Sequence, residues 1–293
     1  MRQRPKINPI DRRPEIDGLR AIAVLVIILY HAKIVIFGRD WFEGGYIGVD
    51  IFFVISGYLI TRIILEELFK TGSFSFLKFY ERRVRRILPM LFTVMLVTFP
   101  FAWKYLLPAN FLEYSKSILS AVLFSSNFFF YFVTTEYGAE SALLKPFLHT
   151  WSLGVEEQFY IVFPILLVFF YKFLRKHVFI LFSAMLLLSL LFSNAMSMQN
   201  VSLNFYLPMS RFWELLVGSI LAYLELKRGR VQNRIAKNIF PIVGFYLIAY
   251  SILFFEAKTP HPSLITLIPI IGSAFIIAFS SKEDFVGKVL SSK

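Results

Sequence analysis

Residues 15–37 read EIDGLRAIAVLVIILYHAKIVIF, and this stretch decides the class of protein that the chain forms. The residues between Arg20 and His31 carry no charge, and Lys33 is the single lysine or arginine within 21–37. A hydrocarbon core of about 30 Å is crossed by about 20 mainly apolar residues in an α-helix. The stretch therefore predicts a membrane-spanning helix that begins near Arg20.

Arg20 and His31 share one face of that helix, because eleven steps of about 100° return almost to the starting angle. At a rise of about 1.5 Å per residue, they lie about 16 Å apart along the helix axis. A cation at the cytoplasmic rim, in line with a buried titratable base, fits a ligand that is anionic at one end and reactive at the other. Acyl-coenzyme A has that shape. Alternatively, His31 makes a hydrogen bond to a neighbouring helix.

The composition extends the membrane prediction to the whole chain. Apolar residues make up 57% of it, and apolar runs near twenty residues recur. Because lipid offers backbone groups no hydrogen-bond partner, these runs predict an all-α, polytopic transmembrane helical bundle. The net charge of +12 lies mainly beside the apolar runs, which indicates the positive-inside bias and no nucleic-acid partner. The absence of cysteine excludes disulfides, thiolate metal sites and a cysteine acyl-enzyme.

The order of apolar and basic segments predicts how the chain crosses the membrane. The candidate spans are 21–37, 46–65, 88–107, 111–133, 158–174, 178–193, 208–226, 238–255 and 264–280. The positive-inside bias places four basic segments in the cytoplasm, namely 1–20, 62–86, 172–177 and 227–237. An even number of crossings must separate the second of these segments from the third. One of the three candidate spans between them therefore does not cross.

The segment 111–133 is the weakest of the three because it contains Glu113 and Lys116. We predict that it is re-entrant or interfacial and that it leads into an external loop at 134–156. This gives about eight crossings, with both chain ends in the cytoplasm. The alternative is that the charge bias fails at 172–177.

A carboxylate opens the second span, in the stretch GGYIGVDIFFVISG at 44–57. A charge that enters a membrane helix is costly unless it has a partner, so Asp50 is a candidate functional residue. If the first two spans form a hairpin, Asp50 lies at the depth of His31 and can orient its imidazole, as the acid does in a serine-protease triad. Alternatively, Asp50 is a helix N-cap in the headgroup region.

Four arginines precede the third span, in the stretch ERRVRRILP at 81–89. Arg83 and Arg86 are three residues apart and share a helix face. Guanidinium groups pair with phosphate oxygens through two parallel hydrogen bonds, so these two arginines can hold the phosphates of a nucleotide at the cytoplasmic rim. The alternative is a topology anchor that binds anionic lipid headgroups.

Two more charged stretches lie near the outer ends of later spans. HTWSLGVEEQFY at 149–160 contains the adjacent Glu156 and Glu157, of which one can face the bundle and the other water. Arg211 and Glu214 are three residues apart in another span, where they form either a structural ion pair or part of the site. The sequence contains no glycine-rich phosphate loop, no Gly-x-Ser-x-Gly elbow and no cluster typical of metal ligands.

At these residues the chain resembles the acyltransferase-3 family, membrane enzymes that O-acylate surface polysaccharides, peptidoglycan and some small molecules. The matching segments, in chain order, are 17–21 with His31, 48–57, 82–89, 150–156 and 211–214. Each motif is weak alone, whereas their order among the spans is specific. The resemblance covers residues 14–293.

The resemblance implies essential roles for Arg20 and His31 and acetyl-CoA as the usual acyl donor. The predicted catalytic residues are His31, Asp50 and Glu156, and the predicted donor-binding residues are Arg20, Arg83 and Arg86. The family also implies two spans more than this chain has and, in some members, an external hydrolase-like domain. The predicted organisation is a basic cytoplasmic segment at 1–19, an acyltransferase-3-like membrane domain at 20–281 and a polar tail at 282–293, cut short before the last spans.

The expected function is O-acyl transfer, usually of acetyl, from cytoplasmic acyl-CoA to a hydroxyl of a cell-surface or lipid-linked carbohydrate. The expected location is the inner membrane of a bacterium, with lipids as further partners and no bound cofactor. His31, oriented by Asp50, removes the hydroxyl proton, or else it carries the acyl group as an acyl-histidine. The alternatives are a transporter of an acyl or lipid-linked saccharide and an inactive fragment.

Overall fold

The computed structural model describes residues 13–136 and 145–292, which form a bundle of helices. The helices, in chain order, are α1 (Pro14–Ala32), α2 (Gly48–Thr71), α3 (Phe76–Tyr105), α4 (Pro108–Val122), α5 (Ser126–Thr135), α6 (Thr150–Phe173), α7 (Val178–Gln199), α8 (Val201–Tyr206), α9 (Pro208–Arg228), α10 (Arg234–Phe254), α11 (Leu267–Phe279) and α12 (Phe285–Leu290). Turns of 3-10 helix at Glu43–Ile47 and Leu264–Thr266 precede α2 and α11. The strands β1 (Val35–Ile36) and β2 (Arg39–Asp40) pair in a short antiparallel hairpin. The predicted basic residues before Arg13, and the part of the predicted external loop at 137–144, lie outside the described residues.

Five of the described helices are long and apolar enough to cross a membrane: α2 with its preceding turn, α3, α6, α7 and α10. The helices α1 and α9 have 19 and 21 residues, but each carries several charged side chains. The predicted class, an all-α bundle with several membrane-spanning helices, is confirmed. Of the candidate residues, α1 carries Arg20 and His31, and α9 carries Arg211 and Glu214.

The predicted non-crossing segment at 111–133 is divided between two short helices. α4 has 15 residues and α5 has 10, and Phe124 lies between them in a left-handed conformation with φ 52°. At about 1.5 Å per residue, α4 is about 22 Å long and α5 about 15 Å. Neither helix alone spans a core of about 30 Å, because the helical path is broken at the turn between them.

The centre of the bundle is the contact between α2 and α9. Gly57 and Gly218 bring the two backbones together, because a Cβ at Gly57 would overlap the carbonyl oxygen of Leu215, and one at Gly218 that of Val54. One apolar core lies on the α3–α7 side of this pair and a second on the side of α1, α10 and α11. Close packing through small residues is the usual way in which membrane helices associate. It fixes the charged residues of α2 and α9 relative to each other.

The basic end of the bundle is held together by ion pairs. Arg13 donates to the Tyr58 hydroxyl at 2.8 Å, to a Glu225 carboxylate oxygen at 3.2 Å and to the backbone carbonyl of Ile277 at 2.7 Å. Arg62 lies 3.5 Å from the same carboxylate, and Arg230 reaches the carboxylate of Glu15 at 3.3 Å. The start of α1 is therefore tied to α2, α9 and α11.

The residues predicted as a polar tail, 282–293, contain α12. Asp284 caps this helix by accepting from the backbone N–H of Gly287 at 2.9 Å, and Val286 and Leu290 are buried. A Cβ at Gly18 would overlap the carbonyl oxygen of Leu290, so α12 packs directly on the first turns of α1. This segment is packed into the bundle because its apolar residues recur on one face of a helix.

Candidate active site

α1 runs unbroken from Pro14 to Ala32, so Arg20 and His31 lie on one continuous helix, as predicted. The helix ends where Lys33 adopts a left-handed φ of 47°. His31, in the last turn, packs edge-on against Tyr30, with ring centroids 5.0 Å apart. Arg20 is half-buried and lies 3.6 Å from a carboxylate oxygen of Asp17. His31 is exposed, so the prediction that this base is buried is wrong. The two ends of α1 therefore present a cation and an accessible titratable base.

His31 opens onto a cavity of about 710 Å³. Ligand sites in proteins commonly have volumes of about 300–1,000 Å³. The walls are the end of α1, the turn before α2, the start of α6, the helix α8 and the two loops at 145–149 and 257–261. The aromatic and histidine side chains that line the cavity are Tyr30, His31, Tyr46, His149, Trp151, Phe205, Tyr206 and His261. The cavity is therefore suited to a ligand with both apolar faces and polar groups.

Aromatic rings connect His31 to the floor of this cavity. The Tyr30 ring lies 5.9 Å from that of Tyr46, and the Tyr46 ring lies 4.7 Å from that of His261, all between centroids and in edge-on geometry. Edge-on contacts of this kind fix ring orientation as well as burying apolar area. The position of His31 at the cavity therefore depends on the fold around α2 and the 257–261 loop.

A fully buried group of charges lies under the cavity. Arg211 donates to Asp50 at 2.9 Å and to Glu214 at 3.2 Å, and all three side chains are 0% exposed. The same guanidinium nitrogen lies 3.0 Å from Nε2 of His261. The rings of Trp151 and Phe205 cover the guanidinium at 5.3 and 5.0 Å. The sequence left open whether Arg211 and Glu214 form a structural ion pair or part of the site. The geometry supports an intramembrane ion pair, and Asp50 and His261 also contact its arginine.

Among the described residues, Asp50 forms its ion pair with Arg211 and not with His31, and Nε2 of the uncharged His261 lies 3.4 Å from its carboxylate. The expected hairpin register does not occur, because the chain between α1 and α2 makes the β1–β2 hairpin and a 3-10 turn before it returns along α1. Gly48 therefore lies against the carbonyl of Ala23, which is about 12 Å below His31 along the helix. Asp50 is not the N-cap either, since Ile47 holds that position.

His261 is a neutral histidine. Burial, and then the positive charge of Arg211, lower the pKa of His261 well below its ordinary value of 6.5. The Arg211 N–H therefore donates to Nε2, and the proton on Nδ1 faces the hydroxyl of Thr266 at 3.3 Å. The pKa of a second cavity histidine, His149, is also lowered. Burial, and then the neighbouring imidazole of His31, lower the pKa of His149 below its ordinary value, so both His149 and His261 stay uncharged at neutral pH.

The arginines at the start of α3 fall into two pairs. Arg82 lies 3.7 Å from the Glu67 carboxylate, and Arg85 lies 2.7 Å from Glu81. Arg83 instead lies over the ring of Tyr160, with its guanidinium carbon 4.4 Å from the centroid. Arg86 lies within electrostatic range of Arg20 on α1. Of the pair predicted from its spacing, Arg83 thus contacts α6, whereas Arg86 is exposed and lies near Arg20.

Glu156 belongs to this arginine group. Its carboxylate accepts hydrogen bonds from the hydroxyls of Ser56 and Tyr160, and it lies within electrostatic range of Arg20. The prediction that 134–156 is entirely an external loop is wrong at its end, because α6 begins at Thr150. Glu156 therefore lies almost two turns inside the helix, within the arginine group near Arg20. Glu157, the neighbour of Glu156, is buried as well, with 7% of its surface exposed.

The sequence analysis missed three residues that the structure places in these groups. His261 was missed because a histidine in a short loop between two prolines carries no periodic signal. Tyr160 lies four residues after Glu156, a spacing that places both on one helix face. This spacing could have predicted their contact from the sequence. Ser56 lies within a motif used for the resemblance, but its partner comes from a distant helix. In the part of the chain that the structure describes, no group of three or more side chains is arranged to hold a metal ion.

These helices and the two-ended site define a multi-pass membrane protein, and comparison with known proteins identifies its family. Residues 13–292 match the acyltransferase-3 family model, described as an acyltransferase domain. The chain is 31% identical to "O-acetyltransferase OatA" of Staphylococcus aureus (strain NCTC 8325 / PS 47) over 282 residues, covering 85% of this chain and 45% of that protein. It is 34% identical to "Putative O-acetyltransferase SACOL0978" of Staphylococcus aureus (strain COL) over 307 residues, covering 93% and 49%. No solved structure matches the chain.

The chain therefore belongs to the acyltransferase-3 family, and the resemblance inferred from its motifs is confirmed. It spans about half the length of the curated relatives that it matches.

Proposed function

We propose that the protein is a membrane O-acyltransferase that moves an acetyl group from acetyl-CoA on the cytoplasmic side to a hydroxyl of a cell-surface or lipid-linked carbohydrate. The observation that carries this proposal is the helix α1, which has a group of arginines beside its first half and a cavity with a histidine at its end. Membership of a family of acyltransferases supports the reaction type. The names of the two relatives support acetyl as the transferred group.

The donor site in this proposal is the arginine group. Arg20 and Arg86 are like charges brought within electrostatic range of each other, an arrangement that an anion between them stabilises. Phosphate oxygens suit this position, because guanidinium groups bind them bidentately. The extended pantetheine arm of acetyl-CoA is comparable in length with the distance of about 16 Å from Arg20 to His31 along α1. The thioester can then reach the cavity while the nucleotide stays at the rim.

His31 is the proposed general base. It accepts the proton of the acceptor hydroxyl as the hydroxyl oxygen attacks the thioester carbonyl, and the tetrahedral intermediate then collapses. The C–S bond breaks, the new ester remains on the acceptor, and the imidazolium returns its proton to the departing CoA thiolate. Because Asp50 contacts Arg211 and not His31, we assign Asp50 to positioning: its ion pair holds α2 and α9 under the cavity.

Glu156 is a positioning residue for the donor in this scheme. Its hydrogen bonds from Ser56 and Tyr160 connect α2 with α6, and Tyr160 in turn supports the Arg83 guanidinium. These contacts hold α2, α3 and α6 at a fixed spacing around the arginines. We therefore place the role of Glu156 in donor binding, at the opposite end of the site from His31.

We further propose eight membrane crossings, in the inner membrane of a bacterium, with the N-terminus in the cytoplasm. The loops that line the cavity come from chain segments that the charge bias assigns to the exterior, and they meet at one end of the bundle. Arg13, Arg62 and Arg230, from segments assigned to the cytoplasm, share the carboxylates of Glu15 and Glu225 with one another. This grouping supports a cytoplasmic donor and an external acceptor.

Transfer of labelled acetyl groups by the purified, full-length protein tests the proposal. We expect label from acetyl-CoA to appear as an ester on envelope carbohydrate, with one free CoA thiol released for each ester formed. A protein that moves labelled saccharide across vesicle membranes without consuming the thioester would be a transporter. Protein that retains its fold but does neither would support an inactive fragment.

The first prediction concerns the donor site. Arg83→Ala and Arg86→Ala should raise the KM for acetyl-CoA by about tenfold or more, with a smaller change in kcat, because each removes a charge-assisted contact of about 1.5–3 kcal/mol to a phosphate. Arg→Lys should restore binding only in part, since lysine has no planar fork. Initial rates measured over a range of acetyl-CoA concentrations check both expectations.

Arg82→Ala and Arg85→Ala are matched controls, because these neighbouring arginines pair with Glu67 and Glu81. They should leave the donor KM within about twofold of the wild-type value, as expected for exposed surface ion pairs. Equal losses in all four variants, or full rescue by lysine at 83 and 86, would indicate a general lipid anchor and contradict the assignment of the phosphate site.

The second prediction concerns topology. Single cysteines at Thr135, Lys176 and Gln232 can be introduced into a chain that has no native cysteine. In intact cells, a membrane-impermeant thiol reagent should label the cysteine at position 135 and leave those at 176 and 232 unlabelled until the cells are opened. Labelling at 176 but not at 135 would mean that the segment 111–133 crosses the membrane. The crossings between it and residue 177 would then be inverted.

A further inference from the structure

The charged side chains among the described residues that line the cavity are both lysines. Two lysines and three histidines line it, and none of the described lining residues is an aspartate or a glutamate. The basic side chains are Lys33 and Lys145 with His31, His149 and His261. A concave surface lined by one sign of charge, with walls of low dielectric, focuses the electrostatic potential and raises the local concentration of the opposite charge.

The two lysines differ in their partners. Lys145 is 8% exposed and forms an ion pair with the Glu113 carboxylate on α4, with 2.5 Å between the nitrogen and oxygen. Lys33 is exposed, and no ion pair among residues 13–136 and 145–292 involves it. The neutral histidines His149 and His261 add hydrogen-bonding groups but no charge. The lysine available to an anionic ligand is therefore Lys33.

Lys33 lies two residues after His31, at the point where α1 ends. Its left-handed conformation turns the chain out of the helix while the side chain still lines the cavity. Its side chain and the His31 ring therefore line the same cavity, two residues apart in the chain. The rings of Tyr46, Trp151 and Phe205 provide apolar faces between them and the floor, which suit the C–H faces of a sugar ring.

We propose that the acceptor is an anionic saccharide, with a carboxylate or phosphate close to the hydroxyl that is acetylated, and that Lys33 binds this negative charge. The proposal rests on the proposed function in that it takes the cavity to be the acceptor site. It assigns the class of acceptor, and it gives Lys33 a role in selecting it. A neutral saccharide of the same size would leave the Lys33 ammonium without a partner.

The preference for an anionic saccharide can be tested without turnover, because a saccharide bound in the cavity should protect His31 from modification by diethyl pyrocarbonate. The full-length protein in lipid nanodiscs is modified in the presence of matched tetrasaccharides, and the adduct on His31 is measured by mass spectrometry. Hyaluronan tetrasaccharide is compared with neutral chitotetraose, and phosphorylated maltotetraose with maltotetraose. His177, exposed in the turn between α6 and α7, is the internal reference. The half-protecting concentration of an anionic sugar should be about fivefold or more below that of its neutral counterpart, the effect of one ion pair of about 1 kcal/mol.

Substitutions test whether Lys33 causes the preference for anionic sugars. Lys33→Gln should remove the preference for the anionic sugars, and Lys33→Arg should retain it. Lys104→Gln, at an exposed lysine near the end of α3, should behave as the wild type. Added salt should reduce the preference in the wild-type protein, because it screens exposed charges over about 10 Å at 0.1 M.

Each outcome decides the proposal. Protection by only one anionic sugar supports it and distinguishes a carboxylate acceptor from a phosphate acceptor. Equal protection by charged and neutral sugars, or an unchanged preference in Lys33→Gln, overturns it. Acetyl transfer measured on the same preparation separates the two proposals. Charge-dependent protection without transfer contradicts the proposed function alone, whereas transfer to charged and neutral sugars at equal rates contradicts this inference alone.

Discussion

His31→Ala should reduce acetyl transfer by at least about a hundredfold, because a positioned general base contributes about 10²–10⁴ to a rate. The variant should insert into the membrane in normal amounts, since His31 makes one edge-on ring contact and otherwise faces the cavity. The KM for acetyl-CoA should stay close to that of the wild type, because the proposed donor contacts lie about 16 Å away along α1. Initial rates with labelled acetyl-CoA, together with the elution profile of the purified protein, measure all three quantities.

His177→Ala is the matched control, because this exposed histidine lies in the turn between α6 and α7 and outside the cavity. It should keep wild-type activity. If His31→Ala retains more than a small fraction of the wild-type rate while His177→Ala is fully active, His31 has a structural role. The base must then be sought elsewhere in the cavity, first at His149.

Arg211→Ala should cause the largest loss of stability. Its guanidinium is 0% exposed and is the cation that contacts Asp50 and Glu214, which are equally buried. Removing one partner of a buried ion pair commonly costs about 3–5 kcal/mol, because the remaining charge is left without compensation. We expect a much lower midpoint of thermal unfolding in detergent and a poor yield of folded protein. Arg228→Ala, at an exposed position on the same helix, should change stability by less than about 0.5 kcal/mol.

A triple variant, Arg211→Met with Asp50→Asn and Glu214→Gln, separates the effect of charge from that of packing. Replacing a whole buried ion group with neutral residues of similar size is often tolerated, so this variant should recover much of the stability lost in Arg211→Ala. An unfolding midpoint for Arg211→Ala equal to that of Arg228→Ala would show that the group is not needed to hold α2 against α9.

The sequence alone determined the class of the protein and which of its arginines share a helix face. Apolar runs near twenty residues fixed a helical membrane bundle, because in lipid a backbone must satisfy its hydrogen bonds within the helix. Helical periodicity placed Arg20 in line with His31 and separated Arg83 and Arg86 from Arg82 and Arg85. These are local properties, set by the angle between successive residues.

Only the tertiary structure decided the partners of the buried charges. Asp50 pairs with Arg211, which is 161 positions away, because the small residues Gly57 and Gly218 draw α2 against α9. Helical spacing contains no information about which helices approach each other. The hairpin register that would have paired Asp50 with His31 depends on the path of the chain at 33–47. The charge and hydropathy pattern of that segment does not predict its path.

The cavity, likewise, could not be read from the sequence. His261 and the loop at 145–149 reach His31 from opposite parts of the chain, and Glu156 reaches the arginines because α6 starts about two turns earlier than the apolar run predicted. These contacts depend on how the helices pack across the bundle. The sequence thus specified which residues were unusual for a membrane helix, and the fold specified what each of them touches, because burial of a charge is tolerated only where the surrounding helices bring it a partner.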